Sequence, residues 1–374
     1  MLRARSTTLD NGPVKVLLIS GGSGGHLIPA MTLAEFLRPE AECFFLSTSR
    51  PVDRVLSAAR SEEWICVDLQ PMAPLWRWLS PVHVGRQIQA VLRIRSTLER
   101  IRPDAVVGFG GLISAVGVLT ARFSGIPTLL HEQNVLPGRA NRWVCRLSNA
   151  VAVSFPESRG FLPRGTRVEV TGNPVRFFGQ ELDRGAACSL FGFDPRRPVL
   201  LIMGGSQGSR AINRLVMQMW DGFPERDRRT VQVLHLAGDS EYRQVESEYR
   251  RRGLPAKVFP FLHDMRGALC AATLAISRAG ATGIAEMVAL RVPSILIPYP
   301  YAGAHQRANA RWLERAGGAV VLEESDLSAG VLQRETRALL DDGARLERMR
   351  DALRVHSDGS AAERLGALVK EVAA

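Results

Sequence analysis

The chain has 374 residues, of which 46% are hydrophobic and 23% charged, and a formal net charge of +11. This length predicts two domains, and this composition excludes a largely disordered chain. No apolar run reaches the ~18 residues of a membrane-spanning helix, and no apolar signal segment follows the basic N-terminus, so we expect an intracellular protein. The five cysteines form no CxxC pair, which disfavours a disulfide framework or a zinc site.

Short apolar runs alternate with amphipathic helical segments along nearly the whole chain. In chain order the clearest runs are 15–20, 105–108, 128–131, 151–154, 199–203, 231–236, 274–277 and 294–298. Strands that are buried on both faces have continuous apolar sequences, as these do. The alternation therefore predicts an α/β fold with parallel sheets covered by helices.

An internal repeat indicates that this pattern occurs twice. KVLLISGGSGGH at 15–26 and PVLLIMGGSQGS at 198–209 each have the sequence of a strand, a glycine turn and the start of a helix. Each opens a run of alternating strands and helices. We therefore predict two Rossmann-like domains.

The domain boundary should lie near 172–179, where GNPVRFFG supplies turn residues and interrupts the periodicity. This divides the chain into a first domain at 1–176 and a second at 177–350. Apolar residues at helical spacing predict a terminal helix within 351–374. We expect this helix to pack back on the first domain.

Glycine-rich turns follow three of the predicted strands, where backbone N–H groups at a helix start can bind a phosphate. Their glycines are Gly21, Gly22, Gly24 and Gly25, then Gly110 and Gly111, and finally Gly204, Gly205 and Gly208. Compact packing is the alternative explanation. The spacing matches neither the dinucleotide fingerprint G-x-G-x-x-G nor a P-loop, which disfavours dehydrogenases and nucleoside triphosphatases.

Seven motifs give the chain a close resemblance to one enzyme family. They are GGSGGHLIPA (21–30), GFGG (108–111), LLHEQNVLPGRAN (129–141), GNPVR (172–176), GGSQGSRAIN (204–213), SRAGATGIAE (277–286) and HQRANA (305–310). The chain resembles the bacterial MurG family of UDP-N-acetylglucosamine:undecaprenyl-pyrophosphoryl-muramoyl-pentapeptide N-acetylglucosaminyltransferases. These are glycosyltransferases of the GT-B type, with two Rossmann-like domains facing across a cleft.

The resemblance implies an inverting reaction of peptidoglycan biosynthesis. N-acetylglucosamine would pass from UDP-N-acetylglucosamine to the 4-hydroxyl of undecaprenyl-diphospho-N-acetylmuramoyl-pentapeptide. The alternative is another GT-B enzyme of UDP-sugars, such as a lipid glycosyltransferase or a UDP-N-acetylglucosamine 2-epimerase. A nucleic-acid-binding protein is disfavoured because the basic residues are spread out and no nucleic-acid motif occurs.

The resemblance also implies a set of donor-binding residues, mainly in the second domain. Ser206 and Arg176 would bind the diphosphate, Leu262 would offer backbone groups to the uracil, and Glu286 would accept hydrogen bonds from the ribose. The remaining contacts would come from Ala281, Thr282, Gly283, Ile284, Ala285 and Gln306, and across the cleft from Ser23, Gly24, Gly25 and Asn134. Two positions depart from the family pattern. The family is expected to have a threonine closer to the carboxylate of Glu286, whereas here Thr282 is followed by Gly283. His305 stands where a second glutamine is expected.

The acceptor diphosphate is assigned to the two glycine loops of the first domain, with Gly21, Gly22, Gly110 and Gly111. Displacement at the sugar needs a base near the attacking hydroxyl, for which His26 is the preferred candidate. His131 and Glu132 are its rivals, and the sequence does not decide between them. Without an Asp-x-Asp pair, neither a metal ion nor another cofactor is expected.

The segment PMAPLWRWLSPVHVGRQ at 71–87 combines tryptophan and aliphatic residues with arginine, and four further arginines follow between 93 and 102. Such a segment suits attachment to an anionic membrane surface, although packing of the tryptophans in a core is the alternative. We expect a peripheral enzyme at the cytoplasmic face of the inner membrane. Its partners would be the two substrates and the lipid surface, together with cell-wall assembly proteins that the sequence does not identify.

Overall fold

The computed structural model describes residues 12–21, 24–50, 62–69, 81–176, 179–180, 182–205, 208–302, 304–357 and 359–374. Two parallel sheets organise the chain. The sheet of the first domain has the strand order β3-β2-β1-β4-β5-β6-β7, and that of the second has the order β10-β9-β8-β11-β12-β13. The predicted α/β class with two Rossmann-like domains is confirmed.

Seven strands form the first sheet. They are β1 (Val14–Ile19), β2 (Ala41–Ser47), β3 (Glu63–Cys66), β4 (Ala105–Gly108), β5 (Thr128–Glu132), β6 (Ala150–Val153) and β7 (Val168–Val170). β4, β5 and β6 are completely buried and β1 is buried from Val16 onward, whereas β3 and β7 at the two edges are partly exposed. This gradient follows from helices covering both faces of the middle of the sheet.

Six strands form the second sheet. They are β8 (Val199–Met203), β9 (Gln232–Leu236), β10 (Ala256–Phe259), β11 (Leu274–Ser277), β12 (Ser294–Leu296) and β13 (Ala319–Val321). In each sheet the chain reverses its direction of strand addition beside the first strand, between β1 and β4 and between β8 and β11. In open α/β sheets ligands bind at such a reversal, beyond the carboxyl ends of the strands.

Helices cover both sheets. Those of the first half are α1 (Gly24–Leu37), α2 (Pro81–Ile101), α3 (Gly111–Phe123) and α4 (Arg139–Val144). Those of the second half are α5 (Arg184–Ser189), α6 (Arg210–Asp221), α7 (Glu225–Thr230), α8 (Tyr242–Arg251), α9 (Met265–Ala271), α10 (Ala281–Ala289), α11 (His305–Arg315), α12 (Ala329–Asp341), α13 (Gly343–Arg354) and α14 (Ala361–Ala373). Within the described part of the chain, no helix has the length and apolar character to cross a bilayer.

The terminal helix α14 lies against the first domain rather than the second. Leu365, Leu368 and Val369 are buried in the same core cluster as Val16 and Leu18 of β1. The two helices approach closely at Gly366, where a Cβ would lie 2.7 Å from the ring of Phe36 in α1. The chain therefore crosses between the domains twice, once between β7 and β8 and again between α13 and α14.

Candidate functional site

A cleft of about 830 Å³ separates the carboxyl edges of the two sheets. The loops after β1 and β5 form its wall in the first domain, and the loops after β8 and β11 with the start of α10 form its wall in the second. Fourteen of the sequence-predicted residues line it, namely Gly24, Gly25, His26, Asn134, Arg176, Gly204, Gly205, Gly208, Leu262, Ala281, Thr282, Gly283, Glu286 and Gln306. Gly22, Ser23 and Ser206 lie outside the described residues, as do residues 71–80 of the predicted membrane segment.

His26 lies where the two glycine loops of the first domain meet. Its Nδ1 is 3.5 Å from the carbonyl oxygen of Gly21. Gly110 and Gly111 have φ angles of +98° and +80°, and a Cβ at Gly110 would lie 3.2 Å from His26 Nε2. Only glycine combines this backbone with so close an approach. The structure thus brings Gly21, Gly110 and Gly111 together beside His26, but these three glycines do not themselves line the cleft.

The two rivals of His26 are engaged in other contacts. His131 is completely buried and donates from Nε2 to the carbonyl of Gly172 at 3.0 Å, and burial lowers its pKa to about 4. The Glu132 carboxylate accepts hydrogen bonds of 2.8 to 3.1 Å from the backbone N–H groups of Asn134 and Gly138 and from the side-chain amides of Asn134 and Asn141. A carboxylate with four donors is held as a structural acceptor. Of the three candidates, only His26 lines the cleft.

Arg176 and Glu286 form an ion pair at the floor of the cleft, with 3.4 Å between Nη2 and Oε1. Their side chains are 18% and 9% exposed. Burial raises the pKa of Glu286, and the Arg176 guanidinium acts in the opposite direction. The two groups assigned to different parts of the nucleotide are therefore in contact with each other, and each can exchange this contact for a hydrogen bond to a ligand.

The start of α10 presents its first three residues to the cleft, and the next two residues do not line it. Ala281, Thr282 and Gly283 line the cleft, and the Thr282 hydroxyl donates to the carbonyl of Gly25 across it at 2.9 Å. Ile284 is buried in the core, and its N–H already donates to Gly280 at 2.9 Å. Ala285 faces a different cavity. The structure does not bring these last two residues to the cleft, because their positions fall on another face of the helix.

Two amide side chains predicted to contact the sugar have their oxygen atoms held by the protein, and Asn134 Nδ2 also donates to Glu132 Oε1 at 3.1 Å. Gln306 Oε1 accepts from the backbone N–H groups of Ala279 at 3.2 Å and Tyr299 at 2.9 Å. Asn134 Oδ1 accepts from Asn309 Nδ2 at 3.0 Å. These contacts fix the orientation of both amides, so any donation to a ligand falls to their NH₂ groups.

Several residues that build the cleft were not predicted from the sequence. Arg278 is 7% exposed, donates to the Ser209 hydroxyl at 3.0 Å and pairs with Glu324. Its signal in the sequence was an arginine directly after the buried strand β11. Asn309 has no such signal, because it lies in the middle of α11.

Asn309 and His305 connect the domains behind the cleft. Asn309 is fully buried, and its Oδ1 accepts from the backbone N–H of Val135 at 3.0 Å. His305 donates from Nδ1 to the carbonyl of Leu136 at 2.8 Å. The HEQN segment of the first domain is therefore tied to α11 of the second, which sets the distance between the walls of the cleft.

The positive charge of the site comes from Arg176, Arg210 and Arg278. Among the described residues, no three histidine, cysteine, aspartate or glutamate side chains are grouped as metal ligands. Independence from metals and cofactors remains a prediction. What the geometry provides is a pair of glycine loops beside a histidine on the first-domain wall, and an arginine–glutamate pair at the floor of the cleft.

The two halves of the chain match two family models. The model of the glycosyltransferase family 28 N-terminal domain covers residues 16–153, and that of the family 28 C-terminal domain covers residues 199–365. In agreement with the fold, MurG of Acinetobacter baumannii superimposes with a TM-score of 0.74 at 26% identity, over 96% of this chain and 100% of that one.

Curated relatives cover nearly the whole chain. UDP-N-acetylglucosamine--N-acetylmuramyl-(pentapeptide) pyrophosphoryl-undecaprenol N-acetylglucosamine transferase of Methylococcus capsulatus is 37% identical over 364 residues, which is 96% of this chain and 99% of the relative. The enzyme of the same name from Halothermothrix orenii is 35% identical over 350 residues, or 90% and 93% of the two chains. The chain therefore belongs to glycosyltransferase family 28 and, within it, to the family of these N-acetylglucosamine transferases.

Proposed function

We propose that the chain transfers N-acetylglucosamine from UDP-N-acetylglucosamine to the 4-hydroxyl of undecaprenyl-diphospho-N-acetylmuramoyl-pentapeptide, with inversion, in the cleft between its domains. The observation that carries this proposal is the placement of His26 on the first-domain wall of the cleft and of the Arg176–Glu286 pair at its floor. Displacement at a sugar needs a proton acceptor at the attacking oxygen and positive charge at the leaving group. His26 supplies the first and Arg176 the second.

The donor nucleotide would bind to the second domain. Its diphosphate would take the guanidinium of Arg176, the N–H groups at the start of α10, and the glycine loop after β8 with Ser206. The Glu286 carboxylate, released from Arg176, would accept hydrogen bonds from the ribose hydroxyls. Binding would then replace one buried ion pair by two sets of ligand contacts, without leaving either charge uncompensated.

The sugar and base would occupy the two ends of this site. Leu262 would offer its backbone groups to the uracil, while the amide groups of Gln306 and Asn134 would donate to the sugar. Asn134 belongs to the first domain and Gln306 to the second, so the sugar would lie where the two walls are closest. Thr282, which hydrogen-bonds Gly25 across the cleft, marks the same place.

The acceptor would approach from the first domain. Its diphosphate would bind to the glycine loops that contain Gly21, Gly22, Gly110 and Gly111, and its 4-hydroxyl would lie beside His26. In the reaction the hydroxyl proton passes to the imidazole as the oxygen forms its bond to the anomeric carbon. The bond from that carbon to UDP breaks on the opposite face, and the new negative charge on UDP is stabilised by Arg176.

We further propose that the enzyme works without a metal ion, since arginine and helix N–H groups supply the positive charge at the diphosphate. Release of UDP from UDP-N-acetylglucosamine should depend on a short-chain lipid-linked acceptor and should continue in excess EDTA. Activity that is lost in EDTA and restored by Mg²⁺ would contradict the metal-free reaction. Folded protein that binds UDP but does not turn over this acceptor would contradict the assigned acceptor.

Attachment to an anionic membrane at the cytoplasmic face is the third part of the proposal. On α2, Ile88 and Leu92 are exposed four residues apart, and Phe123 at the end of the adjacent α3 is 82% exposed. Arg86 and Arg93 are exposed on the same helix. Aliphatic and aromatic groups beside arginine suit the headgroup region of anionic lipids.

Vesicle sedimentation tests this surface. Substitution of both Ile88 and Leu92 by glutamate should weaken binding to vesicles that contain phosphatidylglycerol, because it removes apolar contact and adds negative charge. Leu190→Glu is the matched control, since Leu190 is equally exposed but lies on the second domain. Equal binding of the double variant and the control would refute the assignment.

A further inference from the structure

A second cavity, of about 260 Å³, lies between the domains on another face of α10 from the cleft. Phe155, Val170 and Gly172 come from the first domain, and Ile284, Val288, Ala289 and Trp312 come from the second. The segment between α13 and α14 borders it as well. Its walls are mostly apolar. Besides Asn173, the polar lining residues are Ser154, Ser357, His356 and Arg364, and the Arg364 guanidinium already donates to the Thr171 carbonyl and the Ser360 hydroxyl. No part of the reaction described above uses this cavity.

One polar side chain in this cavity has no hydrogen-bond partner among the described residues. Asn173 is 8% exposed, and neither its Nδ2 nor its Oδ1 has a hydrogen-bond partner among the described residues. A buried amide that makes no hydrogen bond is costly, and such groups are rare in folded proteins. A ligand that supplies both missing hydrogen bonds would remove this cost.

The backbone on both sides of Asn173 is fixed in place. The carbonyl of Gly172 accepts from His131 Nε2 at 3.0 Å, and the carbonyl of Thr171 accepts from Arg364 Nε at 3.1 Å. Gly172 has a φ of +81°, and Pro174 follows Asn173 and restricts it to extended conformations. The amide is therefore held at the cavity by its surroundings.

The chemistry of the cavity defines its ligand. A carboxamide offers one acceptor and two donors, so a second amide can pair with it in both directions. The apolar walls favour an uncharged body, because an ionised group would lose its hydration there. The volume equals that of roughly nine water molecules, which suits a compact molecule with one ring.

We propose that this cavity is a binding site for a small, uncharged, largely apolar molecule that carries a carboxamide, with Asn173 as its hydrogen-bonding partner. Because the walls come from both domains, an occupant holds them at one relative orientation. Binding therefore influences turnover without competing for the cleft. The site is independent of the substrate assignment made above.

Benzamide is a suitable probe, and acetophenone is its matched control, since it has the same shape and carbonyl but no N–H donor. Ligand-observed NMR titrations are made with the full chain and saturating UDP, which occupies the main cleft. Benzamide should bind saturably to one site, and acetophenone about five- to tenfold more weakly, the ratio expected of a neutral hydrogen bond. Competition by UDP would overturn the proposal.

Two substitutions locate the site. Asn173→Leu removes the amide at similar volume, and Ala289→Leu narrows the cavity while keeping Asn173. Each should weaken benzamide binding at least about fivefold, and Ala289→Leu tests the proposal even if Asn173→Leu fails to fold. If both variants fold and still bind benzamide saturably, the proposal is overturned. It is also overturned if the parent chain shows no saturable binding, because water alone would then satisfy the hydrogen bonds of Asn173.

Discussion

Replacing Arg176 by methionine leaves the Glu286 carboxylate buried without its cation. Breaking a buried ion pair in this way costs about 3–5 kcal/mol. We expect about 3 kcal/mol here, because 3.4 Å is a long contact and the Arg176 side chain keeps 18% of its surface in solvent. The loss should appear as a lower urea midpoint for the second domain, since Glu286 lies in α10 of that domain.

The sign of the pH dependence follows from the pKa of Glu286. Burial raises this pKa and Arg176 lowers it, so removing Arg176 raises it further. A carboxyl with a raised folded pKa binds more protons folded than unfolded, so stability falls as pH rises from about 4.3, the unfolded value, through the folded pKa. Arg176→Met should therefore lose more stability at pH 8 than at pH 5.

A double variant separates the buried charge from the lost packing. Arg176→Met with Glu286→Gln removes both charges, so it should recover most of the stability that Arg176→Met loses at pH 8. Urea unfolding of the parent, both single variants and the double variant at pH 5 and pH 8 gives the comparison. Equal losses for Arg176→Met at the two pH values, with no recovery in the double variant, would refute the argument from burial.

Three further outcomes are expected. His26→Gln should lower kcat by a factor of about 10²–10⁴, while the affinity for UDP, measured by calorimetry, stays within about twofold of the parent value. A kcat within about tenfold of the parent value would exclude His26 as the base. Gly110→Ala and Gly125→Ala both place a side chain at positive φ, and each should lower the unfolding free energy by about 1–2 kcal/mol. Only Gly110→Ala should also lower acceptor-dependent turnover, because its Cβ would contact His26. Burial lowers the pKa values of His131 to about 4 and His235 to about 3. The free energy of unfolding should therefore fall as pH drops below about 6.5, by up to about 1.4 kcal/mol per pH unit for each histidine. In urea unfolding at pH 7, 5.5 and 4.5, His235→Gln should flatten this dependence, and an unchanged slope would contradict the prediction.

The interior of both sheets was predictable because its sequence carries a strong signal. The runs at 105–108, 199–203 and 274–277 match β4, β8 and β11 residue for residue. Edge strands such as β7 and β10 have partly exposed, mixed sequences, which resemble loops as much as strands. The apolar sequence pattern therefore identifies the central strands that helices cover, but it does not identify the edge strands.

The glycine loops were also accessible from sequence, because backbone geometry restricts which residue types can occupy them. Glu286 was assigned through the family resemblance and not from local geometry. Contacts between the domains were not accessible from sequence. Asn309 and Val135 are 174 positions apart, and nothing in either local pattern indicates that they meet. The contact between Arg176 and Glu286 was not predicted for a related reason. Assigning each residue to a part of the ligand does not predict that the two residues contact each other when the ligand is absent.

The placement of α14 has a consequence for synthesis of the chain. Leu365, Leu368 and Val369 complete a core whose other members lie mostly in the first 152 residues. At a translation rate of ~5–20 residues per second, the ribosome needs roughly ten to forty seconds to make the second domain between them. Throughout that interval the surface of α1 that receives this helix stays uncovered. The first domain to emerge is thus the last to be finished, and premature termination anywhere in the second domain leaves it with an open apolar face.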